Sequence, residues 1–102
     1  MEPDIQFEFD GTLWLYTAAK ASWHFVTVPK EISDQIRFFV GRAAPGFGSV
    51  RVSVSVGTTR WKTSIFPDKA SGCFFLPVKA DVRKSENLHL GDGARYVIQT
   101  GA

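Results

Sequence analysis

The chain of 102 residues has a single cysteine, Cys73, so it cannot form an intramolecular disulfide and bears no mark of an oxidising compartment. Its apolar runs are short, and none approaches the roughly 18 residues of a membrane-spanning helix. The first residues are acidic and lack the basic and then apolar pattern of a signal peptide. These absences favour a cytoplasmic protein with no membrane partner. The length predicts one domain, residues 1–102.

Signatures of catalysis and cofactor binding are also missing. The sequence contains no G-x-S-x-G motif, no Walker-type phosphate loop and no dinucleotide-binding fingerprint. One cysteine and two distant histidines, His24 and His89, give no zinc spacing. We therefore expect no cofactor, no metal and no enzymatic activity. An enzyme would need a pocket in which Lys79 or Arg83 meets a second reactive side chain, for which His24 and Ser64 are the candidates.

The isolated side chains that could carry chemistry have structural explanations. His24 lies in a strand pattern between two aromatic residues, which favours a core or interface histidine. Cys73 precedes Phe74 and is most simply a small buried hydrophobic residue. The tryptophans would suit base stacking, but in so small a domain we expect them in the core. They are Trp14, Trp23 and Trp61, and the carboxylates expected at turns and helix ends are Asp68, Asp81 and Asp92.

Charge is present but unevenly distributed. The formal net charge is +2, yet residues 51–84 hold seven basic and two acidic side chains, a local charge of +5. Residues 1–50 carry −2 and residues 85–102 carry −1. A local excess of this kind is typical of a patch for an anionic partner, although an ordinary solvated face would show the same count.

Hydrophobic periodicity predicts a mainly β fold with two short helices. Gly11 interrupts the first strand and predicts a bulge or sharp bend. Pro29 stops the second strand and favours a helix start, and the apolar stripe of that helix consists of Ile32, Ile36, Phe39 and Val40. The predicted strands are 5–16, 22–28, 49–56, 59–65, 72–78 and 94–100. The predicted helices are 30–41 and 79–87, with a turn at 17–21 and a Gly/Pro-rich loop at 42–48.

One hairpin is specified well enough to predict its register. Gly57-Thr58 fits a two-residue type II′ turn, so Val56 should pair with Thr59. The valines of this hairpin then face the core, and three cations share the opposite face with three hydroxyls and no acid. The predicted anion-binding residues are Arg51, Arg60, Lys62 and Ser64 from the hairpin, with Lys79, Arg83 and Lys84 from the second helix.

The chain also shows an internal repeat. When residues 13–41 are laid over 63–91 at an offset of 50, apolar positions coincide, so that Val26 falls on Leu76 and Val28 on Val78, and Gly41 falls on Gly91. This predicts two half-barrels fused in tandem, related by a pseudo-two-fold axis.

Several spaced motifs resemble one small bacterial and archaeal family. They are WHFVTVP (23–29), FGSV (47–50), WKTSIFP (61–67), LPVKADVRK (76–84) and LGD (90–92). In these motifs the sequence resembles the domain of unknown function DUF1905. The resemblance implies a double-split β-barrel, the fold class of the transition-state regulators AbrB and MazE, in which two copies of a unit of about 50 residues build the barrel. It suggests a DNA-binding ancestry, not a DNA-binding activity.

The leading functional hypothesis is a monomeric, non-catalytic module that binds an anionic ligand, nucleic acid included, through the basic hairpin and second helix. The alternative is a structural or protein-interaction domain that contacts a protein partner through the loop at 42–48 and an exposed Phe38 or Phe47. An enzyme is the least favoured of the three.

Overall fold

The computed structural model describes residues 5–40 and 48–100. The strands are β1 (Gln6–Ala18), β2 (Ala21–Thr27), β3 (Val50–Val56), β4 (Thr59–Pro67), β5 (Phe74–Pro77) and β6 (Gly93–Gln99). The helices are α1 (Lys30–Val40) and α2 (Ala80–Ser85). Most of the predicted loop, with Gly41 before it and Phe47 within it, lies outside the described residues.

The six strands close into an antiparallel barrel in the order β1-β2-β5-β4-β3-β6, and β6 pairs with β1. Each strand of the closed barrel pairs with two neighbours, so no strand lies at an open edge of the sheet. The mainly β class, the closed barrel and the two short helices are thereby confirmed. The internal repeat and the double-split type stay predictions.

Strand β1 closes the barrel because it pairs with two neighbours in turn. Residues 6–12 pair with β6, and residues 13–18 pair with β2. Gly11 lies just before the change of partner, where the sequence predicted a bulge or bend. A Cβ at Gly11 would lie 2.3 Å from Cγ1 of the buried Val26. The missing side chain therefore allows β1 and β2 to approach closely across the interior.

Inward-facing residues of every strand fill the barrel. The four alternating valines of β3 are all buried, as the hairpin pattern predicted. Tyr96 of β6 stacks on Phe9 of β1, with ring centroids 5.9 Å apart. Fully buried members of the core include Leu13, Val26, Val28, Ile36, Ile65, Leu76, Tyr96 and Ile98.

Helix α1 is attached to the barrel through Ser33. The backbone N–H of Ser33 donates to Pro29 O at 2.8 Å, and its Oγ donates to Val28 O at 3.0 Å. The same Oγ accepts the N–H of Phe74 at 3.0 Å. The buried side of α1 thus passes through Ser33 and Ile36, and the prediction that Phe39 belongs to the buried stripe was wrong: Phe39 is exposed.

Helix α2 is shorter than predicted because Asn87 ends it. Asn87 adopts a positive φ of 52°, a conformation that asparagine tolerates better than most residues. The N–H of Leu88 then donates to Arg83 O at 2.8 Å, and the N–H of Asn87 to Lys84 O at 3.3 Å. These are the two bonds of a Schellman motif, so the helix stops at Ser85.

Two other boundaries were misplaced. The turn predicted at 17–21 is only two residues long, because Thr17 pairs with Ser22 and Ala18 pairs with Ala21. Strand β5 spans four residues of the predicted range 72–78. Gly72 instead lies in the turn before β5, where its N–H donates to Asp68 O at 2.8 Å.

Candidate anion-binding face

The β3–β4 hairpin has the predicted register. Val56 pairs with Thr59 and Val50 pairs with Ile65. Gly57 has a positive φ of 57°, as the first central position of a type II′ turn requires. The outer face of the hairpin therefore presents the residues that the sequence predicted, which are Arg51, Ser53, Ser55, Arg60, Lys62 and Ser64.

A groove of about 610 Å³ runs over part of this face, and we call it the hairpin groove. Its floor includes Ser53 and Ser55, the short outward side chains of the central strand β3. Ser53 lies between Lys62 on β4 and Gln99 on β6, so longer side chains rise on both sides of the serines. The lining residues are Gln6, Ser53, Val54, Ser55, Arg60, Trp61, Lys62, Val97 and Gln99.

A second, smaller depression of about 200 Å³ lies between the hairpin and α2, and we call it the helix cleft. Lys62 and Trp61 line both depressions, so the two adjoin. Lys79, the residue before α2, and Arg83, in the last turn of α2, also line the cleft. The lining residues are Ser22, Trp23, His24, Trp61, Lys62, Thr63, Pro77, Val78, Lys79 and Arg83.

Arg83 is fixed in the cleft by two contacts. Its Nε donates to Val78 O at 3.1 Å, and its Nη1 lies 3.3 Å from Nε2 of His24. Because an arginine can only donate, Nε2 of His24 is the acceptor and the histidine is neutral in this contact. Burial, with the nearby Arg83 charge as a second cause, lowers the pKa of His24 below its usual value. Both effects keep His24 uncharged at neutral pH.

An enzyme would need a pocket in which Lys79 or Arg83 meets His24 or Ser64. The cleft brings Arg83 into contact with His24, and Lys79 also lines it. Ser64 does not join it: its Oγ accepts a hydrogen bond of 3.3 Å from Nη1 of Arg51. Nε2 of His24 already accepts a hydrogen bond, and none of the described residues that line the cleft carries a carboxylate or a thiol. The cleft therefore presents three basic side chains, Lys62, Lys79 and Arg83, beside a histidine whose Nε2 accepts a hydrogen bond from one of them.

Three of the seven predicted site residues line neither depression. Arg51 and Ser64 pair with each other on the hairpin outside the groove lining, and Lys84 is exposed on α2. The structure brings together Arg60 and Lys62 at the groove, and Lys62, Lys79 and Arg83 at the cleft.

Sequence reasoning missed an acid at one end of the hairpin. Glu86 follows α2, and its Oε2 accepts a hydrogen bond of 2.6 Å from Oγ1 of Thr59. Its carboxylate also lies against the turn, because a Cβ at Gly57 would come within 1.9 Å of Oε1. The basic surface therefore ends at the hairpin turn.

The expectation that the tryptophans lie in the core was right only for Trp61. Trp23 is 52% exposed, and Trp14 lies on the outside of the barrel with its Nε1 donating to Thr27 Oγ1 at 3.0 Å. The inward positions of these strands are Leu13 and Val26, so their neighbours point out. The outer side of β1, β2 and β5 thus carries a cluster of rings, the aromatic face, which consists of Trp14, Tyr16, Trp23, Phe25 and Phe75.

The remaining candidates have structural roles. Cys73 is buried, as expected. Oδ2 of Asp68 accepts the N–H of Ser71 at 3.0 Å, and Oδ2 of Asp92 accepts the N–H of His89 at 2.8 Å, so both carboxylates stabilise turns. Within residues 5–40 and 48–100, no group of three or more His, Cys, Asp or Glu side chains is arranged to hold a metal ion.

No helix among the described residues has the length and apolar character needed to cross a membrane. A comparison with curated protein sequences finds no match to this chain. A family described as a domain of unknown function, DUF1905, matches residues 9–98, which is most of the chain. The protein therefore belongs to the DUF1905 family.

Proposed function

We propose that this domain binds an anionic ligand, with nucleic acid among the candidates, at the hairpin groove and the helix cleft, and that it does so without catalysis. The observation that carries the proposal is the position of Lys62, which lines both depressions. It joins Arg60 on one side to Lys79 and Arg83 on the other. Among the described residues, no Asp or Glu lines either depression.

The electrostatics of this surface favour an anion. The acids of β1, Glu8 and Asp10, lie on the same outer side of the barrel but are paired with Arg95, whose Nε donates to Asp10 Oδ1 at 2.9 Å. They therefore do not neutralise the cations of β4. Like charges that share a concave surface raise the local potential and attract counter-ions, and serine hydroxyls on the floor can donate to the same anion.

The proposal is tested by measuring the affinity of the domain for pyrophosphate and for a short DNA duplex at several salt concentrations. We expect Lys62→Gln to weaken both and to reduce the slope of log affinity against log salt for the duplex by about 0.9, the loss of one phosphate contact. Lys69→Gln is the matched control, since Lys69 is exposed and lines neither depression. An affinity independent of salt, or equal effects of the two substitutions, would refute the proposal.

A protein-interaction role is the second candidate, and one observation favours it. Phe38 of α1 is 77% exposed and makes an edge contact with the ring of Phe39, which is also exposed. Two adjacent exposed rings on a helix suit a protein partner. Sedimentation at increasing concentration, with Phe38→Ser for comparison, tests whether that partner is a second copy.

The monomeric state, the cytoplasmic location and the pseudo-two-fold architecture are part of the same proposal. The pairing of β2 with β5 supports the two-fold relation, because Val26 lies directly opposite Leu76, its counterpart at the offset of 50 residues. The helices α1 and α2 also begin at that offset, at Lys30 and Ala80. This is the arrangement that two fused copies of one unit would produce.

A further inference from the structure

The aromatic face and the helix cleft share Trp23. This residue stacks against Phe25, with ring centroids 6.3 Å apart and an angle of 9° between the planes, and it also lines the cleft. Its cross-strand neighbour is Tyr16, which is 44% exposed. One exposed ring therefore lines a cleft that holds three cations, and a second exposed ring lies beside it on the neighbouring strand.

The rings beneath Trp23 and Tyr16 fix this surface. Phe25 is buried and contacts both exposed rings as well as Trp14. Trp14 is held by its hydrogen bond to Thr27 and by an edge contact with Phe75, whose centroid is 4.9 Å away. A layer of interlocked rings is stiff, so little conformational entropy is lost when a flat ligand stacks on its exposed members.

The cations differ in how free they are to bind a ligand. Arg83 is anchored to Val78 and His24, whereas Lys62 and Lys79 are exposed. The cations are distributed over both depressions: Lys79 and Arg83 line the cleft, Lys62 lines the cleft and the hairpin groove, and Arg60 lines the groove. Exposed rings thus lie at one end of a run of cations that spans two adjoining depressions.

The geometry points to single-stranded nucleic acid as the ligand, with bases stacked on Trp23 and Tyr16 and phosphates along Lys79, Lys62 and Arg60. This inference deepens the proposed function and rests on it. A single strand repeats a flat base and a charged phosphate, which matches the pairing of rings and cations on this surface. In a duplex the base faces are already stacked and cannot use the rings. A mononucleotide carries its charge at one end and would leave one depression empty.

The test is a binding series with a fluorescent oligothymidylate of about eight nucleotides, a strand of the same length with abasic sites, and the corresponding duplex. We expect the oligothymidylate to bind more tightly than the abasic strand and the duplex at equal salt. Trp23→Ala should weaken the binding of oligothymidylate by about 5- to 150-fold, the range for the loss of one base-stacking ring, and Trp23→Phe should recover part of that loss.

Phe38→Ala is the matched control, because it also removes an exposed ring but lies on α1, away from the cleft lining, and it should leave affinity unchanged. The log–log salt slope should be about −2 if three cations each contact one phosphate of a single strand. The base-stacking inference would be overturned if the abasic strand and the oligothymidylate bound with equal affinity. If Lys62→Gln then abolished the binding of both strands, the anion site would remain intact.

No binding of any strand and none of pyrophosphate would overturn both proposals. A concentration-dependent dimer that dissociates on Trp23→Ala, without oligonucleotide binding, would assign the aromatic face to a second copy of the chain and also overturn the inference.

Discussion

Gly11→Ala should destabilise the domain, because β1 passes too close to β2 for any side chain at that position. The added Cβ would lie 2.3 Å from Cγ1 of Val26 and 3.3 Å from Cε2 of Phe9. Carbon atoms pack best at about 3.5–4.0 Å, so the first contact is more than 1 Å too short. Val26 is fully buried and has a β-branched, stiff side chain, so it cannot rotate away at low cost.

The net effect can be worked out from two opposing contributions. Overpacking a core of this kind costs about 1–3 kcal/mol. Replacing glycine by alanine also restricts the unfolded chain, and this effect alone raises the free energy of unfolding by about 0.4–1 kcal/mol. At the midpoints of these two ranges the free energy of unfolding falls by about 1.3 kcal/mol, equivalent to about 5–10 °C in Tm for a domain of this size.

The assay is urea unfolding followed by tryptophan fluorescence and circular dichroism. Gly93→Ala on β6 is the matched control, because the nearest atom to its added Cβ is Gly11 O at 3.9 Å, an ordinary contact. The double variant Gly11→Ala with Val26→Ala should show coupling, since the smaller residue removes the clash. A Gly11→Ala variant as stable as the parent would refute this view of the β1–β2 packing.

Three further predictions concern polar groups in the interior and at the cleft. Tyr96→Phe should leave the free energy of unfolding unchanged or raise it by up to about 1 kcal/mol in thermal unfolding. The reason is that the Tyr96 hydroxyl is buried without a partner among the described residues, and burial raises its pKa. A decrease of more than about 1 kcal/mol would show that the hydroxyl is hydrogen-bonded. Ser33→Ala should lower the free energy of unfolding in urea by about 1–2 kcal/mol, because the buried N–H of Phe74 loses its acceptor. Ser85→Ala is the control and should leave the free energy of unfolding unchanged, because Ser85 is exposed. The fold lowers the pKa of His24 below the ordinary value of 6.5. Neutral His24 therefore contributes fully to the free energy of unfolding above pH 6.5, and this contribution is lost as the pH falls through the pKa of the folded state. The free energy of unfolding should therefore be lower at about pH 5 than at about pH 7.5, and a difference that persists in His24→Gln would contradict this origin.

The hairpin was predictable because its information is local. Alternating valines fix which residues face the core, and Gly57 fixes the turn, so the register from Val50 to Ile65 followed from sixteen consecutive residues. The two depressions were not predictable in the same way. Ser53 becomes the floor of a groove only because β6 places Gln99 beside it, a pairing that spans 46 positions of the chain.

The wrong predictions also have physical causes. Strand β2 is apolar on both sides, and sequence alone could not show that Val26 faces the interior while Trp23 lies outside. In α1, Ser33 is buried because it bonds to two backbone groups, which no hydrophobic pattern reveals. In α2, only the Schellman hydrogen bonds around Asn87 show where the helix ends.

The most direct test of anion binding at this surface is a ¹H–¹⁵N NMR titration of the domain with pyrophosphate and with oligothymidylate, at low and moderate salt. We predict shifts confined to the backbone amides of β3 and β4 around the groove, to Lys79–Lys84 and to Trp23, and these shifts should fade as salt rises. Shifts centred on α1, or no shifts with either ligand, would contradict a binding role for the basic surface and favour a protein partner instead.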